Sequence, residues 1–109
     1  MPGSAPQTSK WKAVEDRQPP GVTLTVTGKV KTTNSNQVPH LAKANPQGFN
    51  PAILLLDLSI ATSGDAGGTV NGTQDVEYRE DIKAGQYTSV QIRHEGKGIA
   101  LIDHIEVVH

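Results

Sequence analysis

Apolar and polar residues alternate most clearly across Gly21–Thr32, where the apolar set is Val22, Leu24, Val26 and Val30. This period of two is typical of a β-strand that buries one face. Gly28 interrupts the apolar face, which predicts a bulge or a close backbone approach at that position. Lys29 and Lys31 lie late on the polar face, as lysines often do on edge strands. We therefore expect a half-buried strand with a potential free edge.

A second strand is predicted over Ala52–Thr62. Its first half is apolar on both faces, because Ile53 and Leu55 alternate with the leucines of the other face. A strand of this kind is typical of the middle of a sheet whose outer side is partly covered. The shared apolar face consists of Leu54, Leu56, Leu58 and Ile60.

The C-terminal half contains further strand-like segments separated by turn residues. Asn71-Gly72 predicts a hairpin turn, because both turn positions require a positive φ that Asn and Gly tolerate. A tight turn centred on Gly96-Lys97 is expected to join the last two strands. Asp103 breaks the alternation of the last strand, which predicts a bulge at Asp103–His104. The predicted strands are Gln74–Ile82, Gln86–His94 and Ile99–His109.

Two segments are predicted to lie outside the strands. Residues 1–20 are bracketed by prolines, which favour a partly disordered N-terminal tail over a central strand. Trp11 is the exception, and we expect it to fold back and cover one end of the core. Thr33–Pro51 is predicted to be a long connection with one helical turn near Pro39–Lys43. Connections of this length are often functional.

Together these patterns predict an all-β fold with at most one short helical turn. Short strands with frequent turn signals favour a small antiparallel β-sandwich of about six or seven strands. A small open β-barrel is the alternative. The expected organisation is the N-terminal tail of residues 1–20 followed by a single β domain over residues 21–109, since 109 residues suit one domain.

Composition narrows the possible functions. The formal net charge is −1, aromatic residues make up 4% of the chain, and no basic stripe is present, so we expect no nucleic-acid partner. The absence of cysteine excludes thiolate nucleophiles, disulfides and cysteine-based metal centres. The longest strongly apolar run, Ala52–Leu56, is too short to span a bilayer, so no membrane partner is expected. Met1–Lys10 lacks the apolar segment of a secretory signal, which favours the cytoplasm.

The last predicted hairpin provides one candidate catalytic arrangement. In the expected register Ser89 lies opposite His104, and Glu106 lies two residues further along the same face. A nucleophile, a base and an orienting carboxylate would then be neighbours. No Gly-x-Ser-x-Gly elbow or oxyanion hole accompanies them, so a solvated face of polar pairs is the simpler interpretation.

The histidines are the second set of candidates. No two of them have a spacing that is diagnostic of a metal site, so we expect neither a metal nor another cofactor. Histidine and aromatic side chains can still contact a binding partner, and tryptophan is enriched in binding hot spots. We assign no catalytic residue. The candidate binding residues are Trp11, His40, Phe49, His94 and His104.

The sequence therefore favours a non-catalytic binding or protein-interaction module. The supporting features are the loop of residues 33–51, the tail that carries Trp11 and the potential free edge of the first strand. Such a module would bind a protein partner or form a homodimer, through a sheet edge or through loop 33–51. The alternative is a small hydrolase or metal-dependent enzyme that uses the face formed by Ser89, His104 and Glu106.

Overall fold

The computed structural model describes residues 7–34, 37–45, 47–62 and 69–108. Within these ranges the chain forms eight strands and no helix, and so contains no membrane-spanning helix. An all-β fold is confirmed. The strands are β1 (Thr8–Asp16), β2 (Val22–Asn34), β3 (Gln37–Lys43), β4 (Ile53–Thr62), β5 (Thr69–Ile82), β6 (Ser89–His94), β7 (Lys97–Ile102) and β8 (Glu106–Val108).

The strands form two four-stranded sheets that pack as a sandwich, which confirms the predicted architecture. Sheet A has the order β5-β2-β1-β8, and sheet B has the order β3-β4-β6-β7. Neither sheet is wholly antiparallel, however, because β1 pairs in parallel with β8 and β4 pairs in parallel with β6. Parallel neighbours need a crossover connection. Between β4 and β6 that crossover is β5, which lies in the opposite sheet.

The core lies between the sheets and is filled by the alternating residues of β2 and β4. Leu24, Val26 and Val30 are completely buried, as are Leu54 and Leu56 from the facing sheet. This confirms the inner faces predicted from the period-two pattern. The central position of β4 is confirmed as well, since it pairs with β3 on one side and β6 on the other.

Gly28 allows the Trp11 indole to lie directly on the backbone of β2. Ser9 pairs with Lys29 and Lys12 pairs with Thr27, so Lys10 and Trp11 together oppose Gly28 in a bulge of β1. Lys10 has a φ of 56°. A Cβ on Gly28 would lie 2.6 Å from the indole Cδ2, which is closer than two carbon atoms approach. The close backbone approach predicted at Gly28 is confirmed. Trp11 packs against the core as expected, but from within β1 and not from a tail that folds back over one end.

The N-terminal segment contributes a strand where the sequence indicated none. Strand β1 lies between β2 and β8 in the middle of sheet A, so the prediction that this segment is unsuited to a central strand is wrong. Its prolines fall outside β1, and Trp11 and Ala13 pack toward the core. Glu15, only 1% exposed, lies next on that face, where its carboxylate accepts hydrogen bonds from Arg17 and the Gly85 N–H. Of the tail of residues 1–20 that was predicted to be partly disordered, residues 1–6 lie outside the described residues.

The helical turn predicted at Pro39–Lys43 is wrong, because this segment belongs to β3. Pro39 pairs with Ile60 of β4, and β3 is the edge strand of sheet B. An edge strand tolerates proline because one of its sides needs no backbone donor. Part of the predicted long loop is therefore sheet.

The hairpin turn predicted at Asn71-Gly72 is also wrong. Both residues lie within β5, where Gly72 pairs with Thr32 of β2. Strands β4 and β5 belong to different sheets and do not pair with each other. The Asn-Gly signal therefore falls within a long strand of sheet A.

Strand β2 is not an edge strand, contrary to the expectation from its lysines. It pairs with β1 on one side and β5 on the other. The polar residues near the end of β2 therefore have cross-strand partners, and the Lys29 Nζ lies 2.7 Å from the Asp75 Oδ1. The sheet edges of the described structure are β3, β5, β7 and β8.

Candidate functional site

Phe49 is the most exposed large apolar side chain of the described residues. Its relative exposure is 108%, whereas the next value, for Leu101, is 63%. Phe49 lies in the connection between β3 and β4, within the loop that the sequence predicted to be functional. A single exposed apolar residue is ordinary on a protein surface. Phe49 differs from such a residue because hydrogen bonds hold its loop in place and a groove lies beside it.

The Gln47 side chain fixes the first half of the Phe49 loop. Its Nε2 donates hydrogen bonds to the Ala44 carbonyl oxygen (2.7 Å) and the Leu55 carbonyl oxygen (2.9 Å). Its Oε1 accepts a hydrogen bond of 2.9 Å from the Leu55 N–H. The Ala44 N–H also donates to the Leu55 carbonyl, at 3.0 Å. The Gln47 amide therefore bridges the other two groups of this pair, the Leu55 N–H and the Ala44 carbonyl, one residue beyond Lys43–Leu56, where the pairing of β3 with β4 ends.

A tight turn fixes the second half of the loop. The Asn50 Oδ1 accepts a hydrogen bond from the Ala52 N–H (2.9 Å), and the Asn50 carbonyl accepts one from the Ile53 N–H (3.1 Å). Asparagine favours this turn because its side chain bonds the backbone two residues on. Gly48 lies over the outer face of β4, and a Cβ there would be 3.2 Å from the Leu55 Cδ1. The loop thus covers the outer side of β4, as its pattern predicted.

An open groove of about 370 Å³ lies beside Phe49. The loop contributes Gly48, Phe49 and Pro51 to its wall, Ile53 comes from the start of β4, and Tyr87 comes from the connection between β5 and β6. The remaining lining residues are glutamines, so no charged residue lines the groove. A groove of this size and composition fits an apolar side chain of a partner.

A hydrogen-bonded cluster around Glu80 holds Tyr87 in the groove wall. The Tyr87 hydroxyl donates to the Glu80 Oε2 (3.1 Å), and the Tyr78 hydroxyl donates to its Oε1 (2.7 Å). The Lys43 Nζ also donates to Oε2, at 3.2 Å. Lys43 belongs to β3 and Glu80 belongs to β5, so this Glu80 cluster joins the two sheets along one side of the sandwich.

The cluster stabilises the ionised form of Glu80. Burial alone would raise the pKa of this carboxyl, but the hydrogen bonds from Tyr78, Lys43 and Tyr87 outweigh burial and lower the pKa. The hydrogen bond to Glu80 raises the pKa of Lys43 above its ordinary value. Burial, followed by the hydrogen bond to Glu80, raises the pKa of Tyr78. The Glu80 carboxylate thus accepts hydrogen bonds from the Tyr78 hydroxyl, the Lys43 ammonium group and the Tyr87 hydroxyl.

Gln47→Ala tests whether the side-chain amide holds the loop. We expect a loss of about 2 kcal/mol in the free energy of unfolding, because the Leu55 N–H and the Ala44 carbonyl lose their side-chain partner. The Leu55 carbonyl keeps its hydrogen bond from the Ala44 N–H. Urea unfolding measures this loss. Gln86→Ala is the control, since Gln86 is an exposed glutamine of the same groove, and it should cost less than half as much. Equal losses in the two variants would contradict the positioning role of Gln47.

The other candidate binding residues are not brought together with Phe49. His40 is exposed on β3 opposite Ser59, and His94 ends β6 opposite Lys97. His104 is exposed between β7 and β8, and Trp11 packs in sheet A. In the described ranges no group of three or more His, Cys, Asp or Glu side chains could hold a metal ion.

The register that placed Ser89 opposite His104 is wrong. The turn is formed by Glu95 and Gly96, whose φ angles are 52° and 81°, so His94 pairs with Lys97. A two-residue turn of this class needs a positive φ at both positions. The pairing of β6 with β7 ends at Val90 and Ile102, before the residues of the proposed triad are reached.

The predicted last strand is in fact two strands in different sheets. The chain leaves sheet B after Ile102 and enters sheet A at Glu106, and Ile105 is buried in the core between them. The irregularity at Asp103–His104 is therefore a change of sheet and not a bulge. Ser89 begins β6 in sheet B, whereas Glu106 begins β8 in sheet A, so the triad is not assembled on one strand face.

Phe49 is one of the candidate binding residues named from the sequence, whereas the residues that make its surroundings carry no comparable signal. Gln47 and Leu55 are eight positions apart, and no local pattern joins them. Asn50-Pro51 is an ordinary turn signal that indicates the turn but not the groove. No family model, curated protein or solved structure matches this chain, so its function is inferred from its own residues.

Proposed function

We propose that this protein is a non-catalytic module that binds a protein partner through Phe49 and the adjacent groove, which we call the Phe49 surface. One observation carries the proposal: a fully exposed aromatic ring is presented by a backbone that Gln47 and Asn50 hold in place. Exposed aromatic residues are frequent anchors of protein interfaces. A loop that is already ordered loses little conformational entropy on binding.

The chemistry of the groove indicates the kind of partner. None of its lining residues is charged, and the chain as a whole carries a net charge of −1. These properties favour an uncharged apolar or aromatic contact over a phosphate backbone. The Phe49 surface belongs to the predicted interaction loop of residues 33–51, and the sheet edges remain a second route to a partner. With no cysteine in the chain, we propose the cytoplasm as the location.

A small hydrolase or metal-dependent enzyme built on Ser89, His104 and Glu106 was the alternative. It depended on a hairpin register that the chain does not adopt. No observation on the described residues now favours it over the binding module.

Phe49→Ser tests the proposed function. Peptides selected on the wild-type protein from a random display library should bind the variant at least about 30-fold more weakly, because an anchor of this kind contributes about 2 kcal/mol or more. The measurement is the peptide Kd by titration calorimetry, with amide chemical shifts mapping the contact. Since the side chain is fully exposed, the substitution should leave the fold intact.

Leu101→Ser is the matched control, because Leu101 is exposed and apolar but lies on β7. It should leave the affinity for the selected peptides unchanged. Peptides that bind Phe49→Ser as tightly as wild type would overturn the proposal. Saturable shifts centred on His40, His94 or His104 would move the site elsewhere.

A further inference from the structure

We infer that the Phe49 surface pairs with the same surface of a second copy of this chain, so that each Phe49 ring enters the groove of the other copy. This inference rests on the proposed function and names its partner. The structural reason is that a protruding ring and an apolar groove lie side by side on one surface. A two-fold axis beside this surface places the ring of each copy against the groove of the other, because a symmetric dimer uses the same patch on both subunits.

The geometry of the loop keeps ring and groove separate within one copy. Phe49 borders the groove, but its exposure shows that the ring points into solvent and does not fill the space beside Pro51 and Ile53. The hydrogen bonds of Gln47 and Asn50 fix the loop in this arrangement. The groove can therefore accept a ring from another molecule, and the Phe49 ring can enter a groove of another molecule.

Charge does not oppose a second copy as the occupant. In a symmetric pair each lining residue faces the lining residues of an identical surface, and like charges that face each other are unfavourable. The groove has no charged lining residue, so this penalty does not arise. The net charge of −1 adds little repulsion between whole molecules.

The contact area predicts that the pair is weak. A buried aromatic residue covers about 150–250 Å², so two rings and their grooves fall short of the roughly 1,200 Å² at the lower limit of stable interfaces. We therefore expect a transient dimer that forms at high protein concentration. Dissociation constants of about 0.1–1 mM are the range to examine.

The first measurement is a dilution series of amide chemical shifts on the full chain, from about 1 mM to about 20 µM. Shifts that change with concentration should cluster at residues 47–53 and 86–87. Phe49→Ser should abolish the change, and Leu101→Ser should retain it. A concentration-dependent change that persists in Phe49→Ser would overturn the inference.

The second measurement detects the neighbouring copy directly. Because the chain contains no cysteine, Ala84→Cys creates a single attachment point for a nitroxide, in the exposed turn next to Gln86. Isotope-labelled wild type mixed with this unlabelled spin-labelled variant should lose amide intensity around Phe49 and Ile53. Lys31→Cys carries the label on the outer side of sheet A, and it should leave those signals unchanged.

The outcomes separate this inference from the proposed function. No shift on dilution and no intermolecular broadening would overturn the second copy as partner, whatever the selected peptides do. If those peptides still lose affinity for Phe49→Ser, the binding function holds with a different protein in the groove. Equal broadening from both label positions would indicate non-specific association and would also overturn the inference.

Discussion

Gly28→Ala is expected to lower the free energy of unfolding by about 3 kcal/mol. The new methyl group would lie 2.6 Å from the indole Cδ2 and would meet other ring atoms at least as closely. The ring cannot move away freely, because Trp11 packs against the core and its Nε1 donates a 2.9 Å hydrogen bond to the Thr8 hydroxyl. The bulge of β1 must therefore shift or open. Urea unfolding at neutral pH measures the loss.

The Trp11→Ala variant tests whether contact with the indole ring causes the loss in Gly28→Ala. Alone it should cost roughly 2–3 kcal/mol, since the indole is only partly buried. In that background the methyl group meets empty space, and Gly28→Ala should become neutral or slightly stabilising, because alanine suits a strand better than glycine by about 0.5–1 kcal/mol. The reversal of sign in a double-mutant cycle would identify the ring as the cause.

Gly72→Ala is the matched control, since Gly72 also lies within a strand but a Cβ there meets nothing within 4 Å. It should not destabilise the protein. If Gly28→Ala cost the same with and without Trp11, the close approach would not explain the role of this glycine.

The parts of the fold that could be predicted are the strands in which apolar and polar residues alternate regularly. Strands β2 and β4 alternate regularly, so their inner faces could be read directly, and Gly28 stood out as the exception that needed an explanation. Strand β1 could not be recognised in this way, because Glu15 occupies a core-facing position. Its carboxylate is compatible with burial only through its bonds to Arg17 and the Gly85 N–H, which lies 70 residues away in sequence.

The errors share a physical cause, which is that local signals do not specify which sheet a strand joins. Pro39 indicated a helix start, yet proline is equally acceptable on the edge strand that β3 becomes. Asn71-Gly72 indicated a reversal, yet the neighbours of these residues pair with β2. The turn at Glu95-Gly96 lies one residue before its predicted position, and that difference removes the pairing of Ser89 with His104.

The candidate site was predictable only in part for the same reason. Phe49 could be named only as an aromatic side chain able to contact a partner, within the predicted loop of residues 33–51. The groove beside it combines Ile53 from sheet B with Tyr87 from the connection between the sheets, and the orientation of Tyr87 depends on Glu80. No periodicity within one segment relates these residues, since they meet only after both sheets have formed.

Glu80→Gln is expected to cost about 2–3 kcal/mol at neutral pH, because the two tyrosine hydroxyls lose their ionised acceptor. Tyr87 is buried, and the Glu80 side chain is 18% exposed, so water replaces these hydrogen bonds poorly. The ion pair with Lys43 adds little to this sum, since the Lys43 side chain is 42% exposed. Loss of the Glu80 cluster should also loosen the groove wall and weaken binding at the Phe49 surface.

The stability lost in Glu80→Gln is expected to depend on pH. The pKa of Glu80 is lowered in the folded protein from its ordinary value of 4.5, so its contribution is complete above that value and is lost as the pH falls through the folded pKa. The difference in unfolding free energy between wild type and Glu80→Gln should therefore be large at pH 7 and should shrink below about pH 4. Urea unfolding at several pH values measures it.

At alkaline pH the cluster is expected to lose stability as the pH rises, because the pKa values of Lys43 and Tyr78 are raised in the folded protein. Their contributions are complete below their ordinary values of 10.5 and 10.0 and are lost as the pH rises through the folded values. Asp75→Asn is the control, since it removes an exposed pair with Lys29 and should cost little stability. A wild-type advantage over Glu80→Gln that stayed constant from pH 7 to pH 3 would show that the ionised carboxylate does not stabilise the join between the two sheets.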